Sequence, residues 1–241
     1  MKISDFEIVR VVGKGYMGKV MIVREIETRL IYALKTIHKR AIVERQEQQH
    51  MQSERDILAD LHEHPSPSPF IVRFFGAFQD RANIYYLLEY HGGGDLAGLL
   101  AENMRLPESW VRFYAAEMVQ ALGELHLRGI VYRDLKPENV LISAQGHVVL
   151  TDFGLSKRVP GGVTTATFCG TPEYLAPEVL MKRPYRTPID LWSLGVLLYE
   201  MLIGIVRILV LIFIVDTVLG RTNHANVQQD CLQRVFDTLS R

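Results

Sequence analysis

A chain of 241 residues, 48% apolar and 22% charged, can build one large domain or two small lobes with a real core. Lysine plus arginine and aspartate plus glutamate both number 27, so no net field draws it to nucleic acid or anionic lipid. Its two cysteines, Cys169 and Cys231, exclude a disulfide framework and lack metal-ligand spacing; the opening MKISDFEIVR has no apolar leader core, so a reducing cytoplasmic (or also nuclear) setting is expected.

In chain order, three strands come first. FEIVRVV and KVMIVREI are rich in β-branched side chains and are parted by a glycine loop, and LIYALKTI follows a short polar turn. VERQEQQHMQSERDILADL reads as one helix with Met51, Ile57, Leu58 and Leu61 on one face. HEHPSPSPF is a loop whose His62 and His64 read as solvated side chains rather than metal ligands. IVRFFGAF and NIYYLLEY read as two more strands, and HGGGD at 91–95 is a flexible joint. Beyond it, ESWVRFYAAEMVQALGELHLRG is a long helix closed by Arg128 and Gly129. PIDLWSLGVLLYEML is a helix apolar on nearly every face, as expected of a buried axis. The expected class is α+β and bilobal: residues 1–90 a small β-rich N-lobe, 91–204 a mainly helical and incomplete C-lobe, 205–241 an apolar segment and tail.

Several short motifs carry chemistry. GKGYMGKV places Gly13, Gly15 and Gly18 in G-x-G-x-x-G-x-V spacing between two strands, which suits a hairpin folded over phosphates; a plain hairpin turn is the alternative. Lys35, in YALK, sits inside a strand and needs a counter-charge if it points inward, for which Glu54 is the candidate; otherwise it is a solvent-facing lysine. VYRDLKPENVLI groups Asp134, Lys136 and Asn139 in one loop. Such a trio suits phosphoryl transfer: Asp134 to orient a hydroxyl and accept its proton, Lys136 to face the transferred charge, Asn139 to ligate a metal. TDFGLS adds Asp152 as a second oxygen ligand, and an all-oxygen set with no Cys or His matches Mg²⁺.

Taken in order, GKGYMGKV, YALKTI, SERDIL, VYRDLKPENVLI, TDFGLSKRV and TFCGTPEYLAPEVL resemble the eukaryotic protein kinases, and within them the AGC group of Ser/Thr kinases, from about residue 5 to about residue 204. The resemblance implies a protein-kinase-like fold and transfer of the γ-phosphate of Mg-ATP to Ser or Thr of basic proteins. It implies an adenine site with Leu88 as gatekeeper, Glu89, Tyr90 and His91 as hinge, and Val20, Ala33 and Leu141 around the purine. Leu58, Phe74, Tyr132 and Phe153 would form the regulatory column, and Asp190 would anchor the catalytic loop. Thr167 matches a phosphosite for an upstream kinase, with His50, Arg133 and Lys157 as the basic residues that receive the phosphate. Thr171 matches the residue that contacts both Asp134 and Lys136, and Asp95 and Glu138 match positions that receive substrate arginines.

Two features depart from the family pattern. The loop tip is Tyr16-Met17 where a small residue and Phe are usual, and the pattern stops after LLYEMLIG. MLIGIVRILVLIFIVDTVLG, 201–220, holds fourteen Leu, Ile, Val or Phe. On the insertion scale these offset Arg207 and Asp216, so a span is near balance; against it, residues up to about 204 belong to the expected buried helix. A truncated or aberrant C-terminus is the preferred expectation, with a packed replacement for later helices and a membrane span as the others. The matching functional alternatives to an active kinase are an impaired kinase fragment that binds nucleotide or partners, and a membrane-tethered kinase-like protein.

Overall fold

The computed structural model describes residues 1–15, 18–45, 47–161 and 163–204. The loop tip Tyr16-Met17 and all three readings of the segment from 205 onward lie outside those residues. The chain divides into two compact units, one ending at Gly92 and the other beginning at Gly93.

The first unit is a five-stranded antiparallel sheet with two helices. Its elements are β1 (Phe6–Gly15), β2 (Gly18–Glu25), β3 (Ile31–His38), α1 (Lys39–Arg45), α2 (Gln48–Glu63), β4 (Phe74–Gln79) and β5 (Asn83–Glu89), and the strand order is β1-β2-β3-β5-β4. Alternation along the strands separates two faces. Phe6, Met21, Val23, Leu34, Tyr85 and Leu87 form one buried cluster. The register sets Val20 opposite Lys35 and Ala33 opposite Leu88, so these four share the other face.

One helix was expected over 43–61, and two are found. The amide of Glu47 donates to the carbonyl of Ile42 at 3.0 Å and closes α1. The physical reason is the polar run from Glu44 to His50, which offers no apolar side chain to seat a continuous helix. α1 buries Ala41 and Ile42, whereas α2 buries Met51, Ile57, Leu58 and Leu61 as the periodicity indicates, together with Glu54.

The second unit is mainly helical. It runs α3 (Leu96–Asn103), α4 (Glu108–Leu127), β6 (Ile130–Val131), a 3-10 turn (Pro137–Asn139), β7 (Val140–Ile142), β8 (Val148–Leu150), β9 (Lys157–Arg158), a second turn (Pro172–Tyr174), α5 (Pro177–Leu180) and α6 (Pro188–Ile203). α4 ends where the sequence signals it: Gly129 adopts φ +66, open to glycine at little cost. β7 pairs with β8 and β6 with β9, which folds the loops between them back on α4. α6 differs from expectation. Ile189, Asp190, Ser193, Leu194, Leu197 and Met201 are buried, but Leu191 is 52% and Ile203 44% exposed. Among the described residues α4 and the Pro172–Tyr174 turn are the main elements packed on it, so only one face is covered.

Candidate active site

Each unit carries its own constellation. In the first, β3 places Lys35 on the face described above, and its Nζ lies 2.7 Å from Oε1 of Glu54, whose side chain is 2% exposed. Tyr86, opposite Lys35 in the ladder, donates its hydroxyl to the carbonyl of Met51 at 2.8 Å, which ties α2 to the sheet one turn from Glu54. Burial, then the Glu54 charge, push the Tyr86 phenol well above its usual range, so it remains a donor. Nothing in the sequence pattern marks Tyr86 as a support for the pair beyond its place in an alternating strand.

The three loop glycines are not equivalent. A Cβ on Gly18 would lie 1.8 Å from the carbonyl oxygen of Thr36, so glycine is sterically required there. A Cβ on Gly15 would meet nothing within 4 Å, and one on Gly13 only Val20 at 3.8 Å. That open side lets a ligand approach the backbone, as a phosphate cradle needs. At the end of β5, Leu88 is buried and Glu89 pairs with Tyr32. The His91 side chain is 8% exposed, its Nε2 has no hydrogen-bond partner, and Glu89 Oε2 lies 3.6 Å away. Burial holds this imidazole below its ordinary range against the pull of Glu89.

In the second unit the loop after β6 is built around Asp190. This carboxylate is fully buried at the start of α6 and accepts the amides of Tyr132 at 2.9 Å and Arg133 at 2.8 Å, with His126 Nε2 at 2.8 Å. Arg133 is held at φ 71 and Asp152 at φ 57, left-handed conformations uncommon outside glycine that persist where surrounding structure imposes them. The loop brings Asp134, Lys136 and Thr171 into a closed triangle. Thr171 Oγ1 donates to Asp134 Oδ1 at 2.9 Å, Lys136 Nζ donates to Thr171 Oγ1 at 2.9 Å, and Lys136 Nζ is 2.9 Å from Asp134 Oδ2.

Asn139 completes the group. Its amide nitrogen donates to the backbone oxygen of Asp134 at 2.8 Å and to Oδ2 at 2.9 Å, which leaves the amide oxygen as the atom for a cation. The amide of Thr151 donates to the Asn139 carbonyl at 3.0 Å, so Asp152 is one residue from that junction. Among the described residues no three His, Cys, Asp or Glu side chains form a metal cage. An amide oxygen and a carboxylate fit Mg²⁺, which takes few protein ligands and completes its shell with water and phosphate. Leu141 lies on β7, bridged to Asp95, whose Oδ1 caps α3 by accepting the Gly98 amide at 2.7 Å.

Around Thr167 the side chains converge only in part. Arg133, 5% exposed, donates Nε to the Leu155 carbonyl at 2.5 Å and Nη1 to the Tyr185 hydroxyl at 3.3 Å. Lys157 Nζ donates to Thr165 Oγ1 at 3.1 Å, and Thr165 Oγ1 is 3.3 Å from that of the exposed Thr167. His50 belongs to the first unit and is paired with Glu47. Tyr132 and Phe153 are buried in edge contact at 5.3 Å between centroids; Leu58 and Phe74 are buried in the first unit.

One acidic group escaped sequence reasoning. The Tyr174 hydroxyl donates to Glu200 near the end of α6, and Glu138, Glu173 and Glu200 all push this phenol upward, after burial as the largest cause. Glu138 therefore lies in the electrostatic surroundings of Tyr174, together with Glu173 and Glu200.

Comparison with known proteins agrees with this arrangement. A protein kinase domain model matches residues 6–209. The chain is 48% identical over 206 residues to serine/threonine-protein kinase Sgk1 of Xenopus tropicalis, covering 85% of this chain and 48% of that one. It is 49% identical over 205 residues to human Sgk1 (85% and 47%) and 49% over 206 residues to the Danio rerio protein (85% and 46%). The chain thus spans about half the length of the curated relatives it matches. Motifs, architecture and comparison agree: the chain belongs to the eukaryotic protein kinases, in the AGC group of Ser/Thr kinases.

Proposed function

We propose that this chain transfers the γ-phosphate of Mg-ATP to Ser or Thr of basic protein substrates. The observation that carries the reading is the triangle of Asp134, Lys136 and Thr171: a carboxylate held by a hydroxyl and a cation, ready to orient an acceptor hydroxyl and take its proton. Bound Mg-ATP would supply the phosphoryl group and the metal charge. Asn139 and Asp152 would hold the metal, Lys35 set by Glu54 would pair with phosphate oxygens, and the glycine loop would offer its amides. Val20, Ala33, Leu88, Glu89, His91 and Leu141 would receive the base. Asp95 and Glu138 would supply negative charge for substrate arginines.

Phosphorylation of Thr167 by an upstream kinase fits the surroundings of Arg133, a buried guanidinium whose partners among the described residues are neutral oxygens. Lys157 would add a second cation; His50 would join only by giving up Glu47. The same reading proposes a cytoplasmic setting, where ATP is available. Among the described residues no helix is long and apolar enough to cross a membrane.

The test is transfer from labelled Mg-ATP to an arginine-containing Ser peptide by the full chain beside Asp134→Asn. Transfer confined to the wild type supports the reading. A folded chain that binds ATP without transfer would replace it by the impaired module, a second reading favoured by the exposed Leu191 and Ile203 on α6.

A further inference from the structure

Tyr185 lies just before α6, and no motif of the sequence singles it out. Its ring is 4% exposed, and its hydroxyl works in both directions. It donates to the carbonyl of Thr167 at 2.6 Å and accepts Nη1 of Arg133 at 3.3 Å. Its backbone makes a two-way bridge with Thr165: the Tyr185 amide donates to the Thr165 carbonyl at 2.8 Å, and the Thr165 amide returns a bond at 3.1 Å. One residue therefore grips the Thr165–Thr167 segment at two points and joins it to the residue before Asp134. A phenol has a single hydrogen, committed here to Thr167, while its lone pairs serve the cation. Burial raises the phenol above its ordinary value despite Arg133, so that hydrogen stays in place.

We propose that Tyr185 is a positioning residue that docks the Thr167 segment on Arg133 before any phosphate is present. The unmodified chain then keeps a basal activity, and phosphorylation of Thr167 reinforces an arrangement that already exists. The phosphate and the phenol act on the same guanidinium, so each makes the other less necessary. The activity part of the claim rests on the kinase reading above; the docking part does not.

Tyr185→Phe removes only the hydroxyl and is tested in the full chain. Unphosphorylated, the variant loses about tenfold in kcat, the scale of one charge-assisted hydrogen bond, with KM for ATP unchanged. Phosphorylated on Thr167, it loses less than about threefold, because the phosphate replaces the phenol as partner of Arg133. Equal losses in both states, or none, overturn the proposal. A second readout needs no activity: Phe168 is 55% exposed, and chymotryptic cleavage after it in the unphosphorylated chain accelerates about tenfold in Tyr185→Phe. Tyr174→Phe, which deletes another buried phenol of the same unit, leaves that cleavage at the wild-type rate; equal acceleration in both variants overturns the proposal. In the wild type, the mutually bonded amides of Thr165 and Tyr185 exchange slowly, and free-peptide exchange would overturn it without any variant. If the wild type transfers no phosphate, the kinase reading fails, while cleavage and exchange still decide the docking.

Discussion

The two units solve one problem, holding charged side chains in place, by opposite means. In the first, Lys35 and Glu54 stand on a regular strand and a regular helix, and the geometry of β3 and α2 brings them together at 2.7 Å. In the second, Asp134, Asn139 and Asp152 stand on irregular backbone, with Arg133 and Asp152 in left-handed conformations and the loop tied to the buried Asp190. A regular element needs only its own hydrogen-bond ladder. An irregular loop needs acceptors from elsewhere, because its amides would otherwise be buried without partners. The second solution aims side chains that no helix or strand could aim together, and it concentrates the dependence on one carboxylate.

The largest effect expected is on chemistry in the second unit. Asp134→Asn keeps the shape but removes the carboxylate proposed to take the proton, and steady-state transfer should fall by roughly 10²- to 10⁴-fold with melting nearly unchanged. Next comes the support. Asp190→Ala leaves two backbone amides and His126 without their acceptor, and denaturant unfolding should show a loss of about 3 kcal/mol. If Asp190→Ala costs no more than a surface change, the contrast between the two units fails.

The first unit should be more forgiving. Tyr86→Phe removes the hydroxyl bond to Met51 and should cost about 1 kcal/mol, read as a shift of the urea midpoint at constant slope. A loss as large as that of Asp190→Ala would mean that the α2 contact, too, hangs on one group.

The smallest effect concerns pH at the end of β5. Burial holds His91 below its unfolded value of about 6.5, so the unfolded chain takes up that proton first on acidification. The stability from neutral His91 is complete above about pH 6.5 and declines as the pH falls below it. Melting temperatures between pH 7.5 and 5.5 should fall less in His91→Leu than in the wild type, and identical slopes would remove His91 from the account.

How much of this was legible in the chain depends on how local the cause is. The run Glu44 to His50 looked helical by composition, yet the helix breaks there, because helices in a domain follow the burial of apolar side chains more than propensity. α6 read as apolar on nearly every face, but Leu191 and Ile203 stay exposed, since periodicity reports what a helix can bury and not what covers it.

By itself the sequence determined the strands, the C-terminal end of α4 and the family, and it supplied the candidates for the chemistry, because each rests on residue type at short spacing. Only tertiary structure decided which further distant groups meet: His126 with Asp190, Tyr174 with Glu200, and Tyr185 with Arg133 and Thr167. The physical reason is that a hydrogen bond needs its two atoms within about 3 Å. Partners separated by 64, 26 and 52 positions reach that distance only when the whole unit has packed.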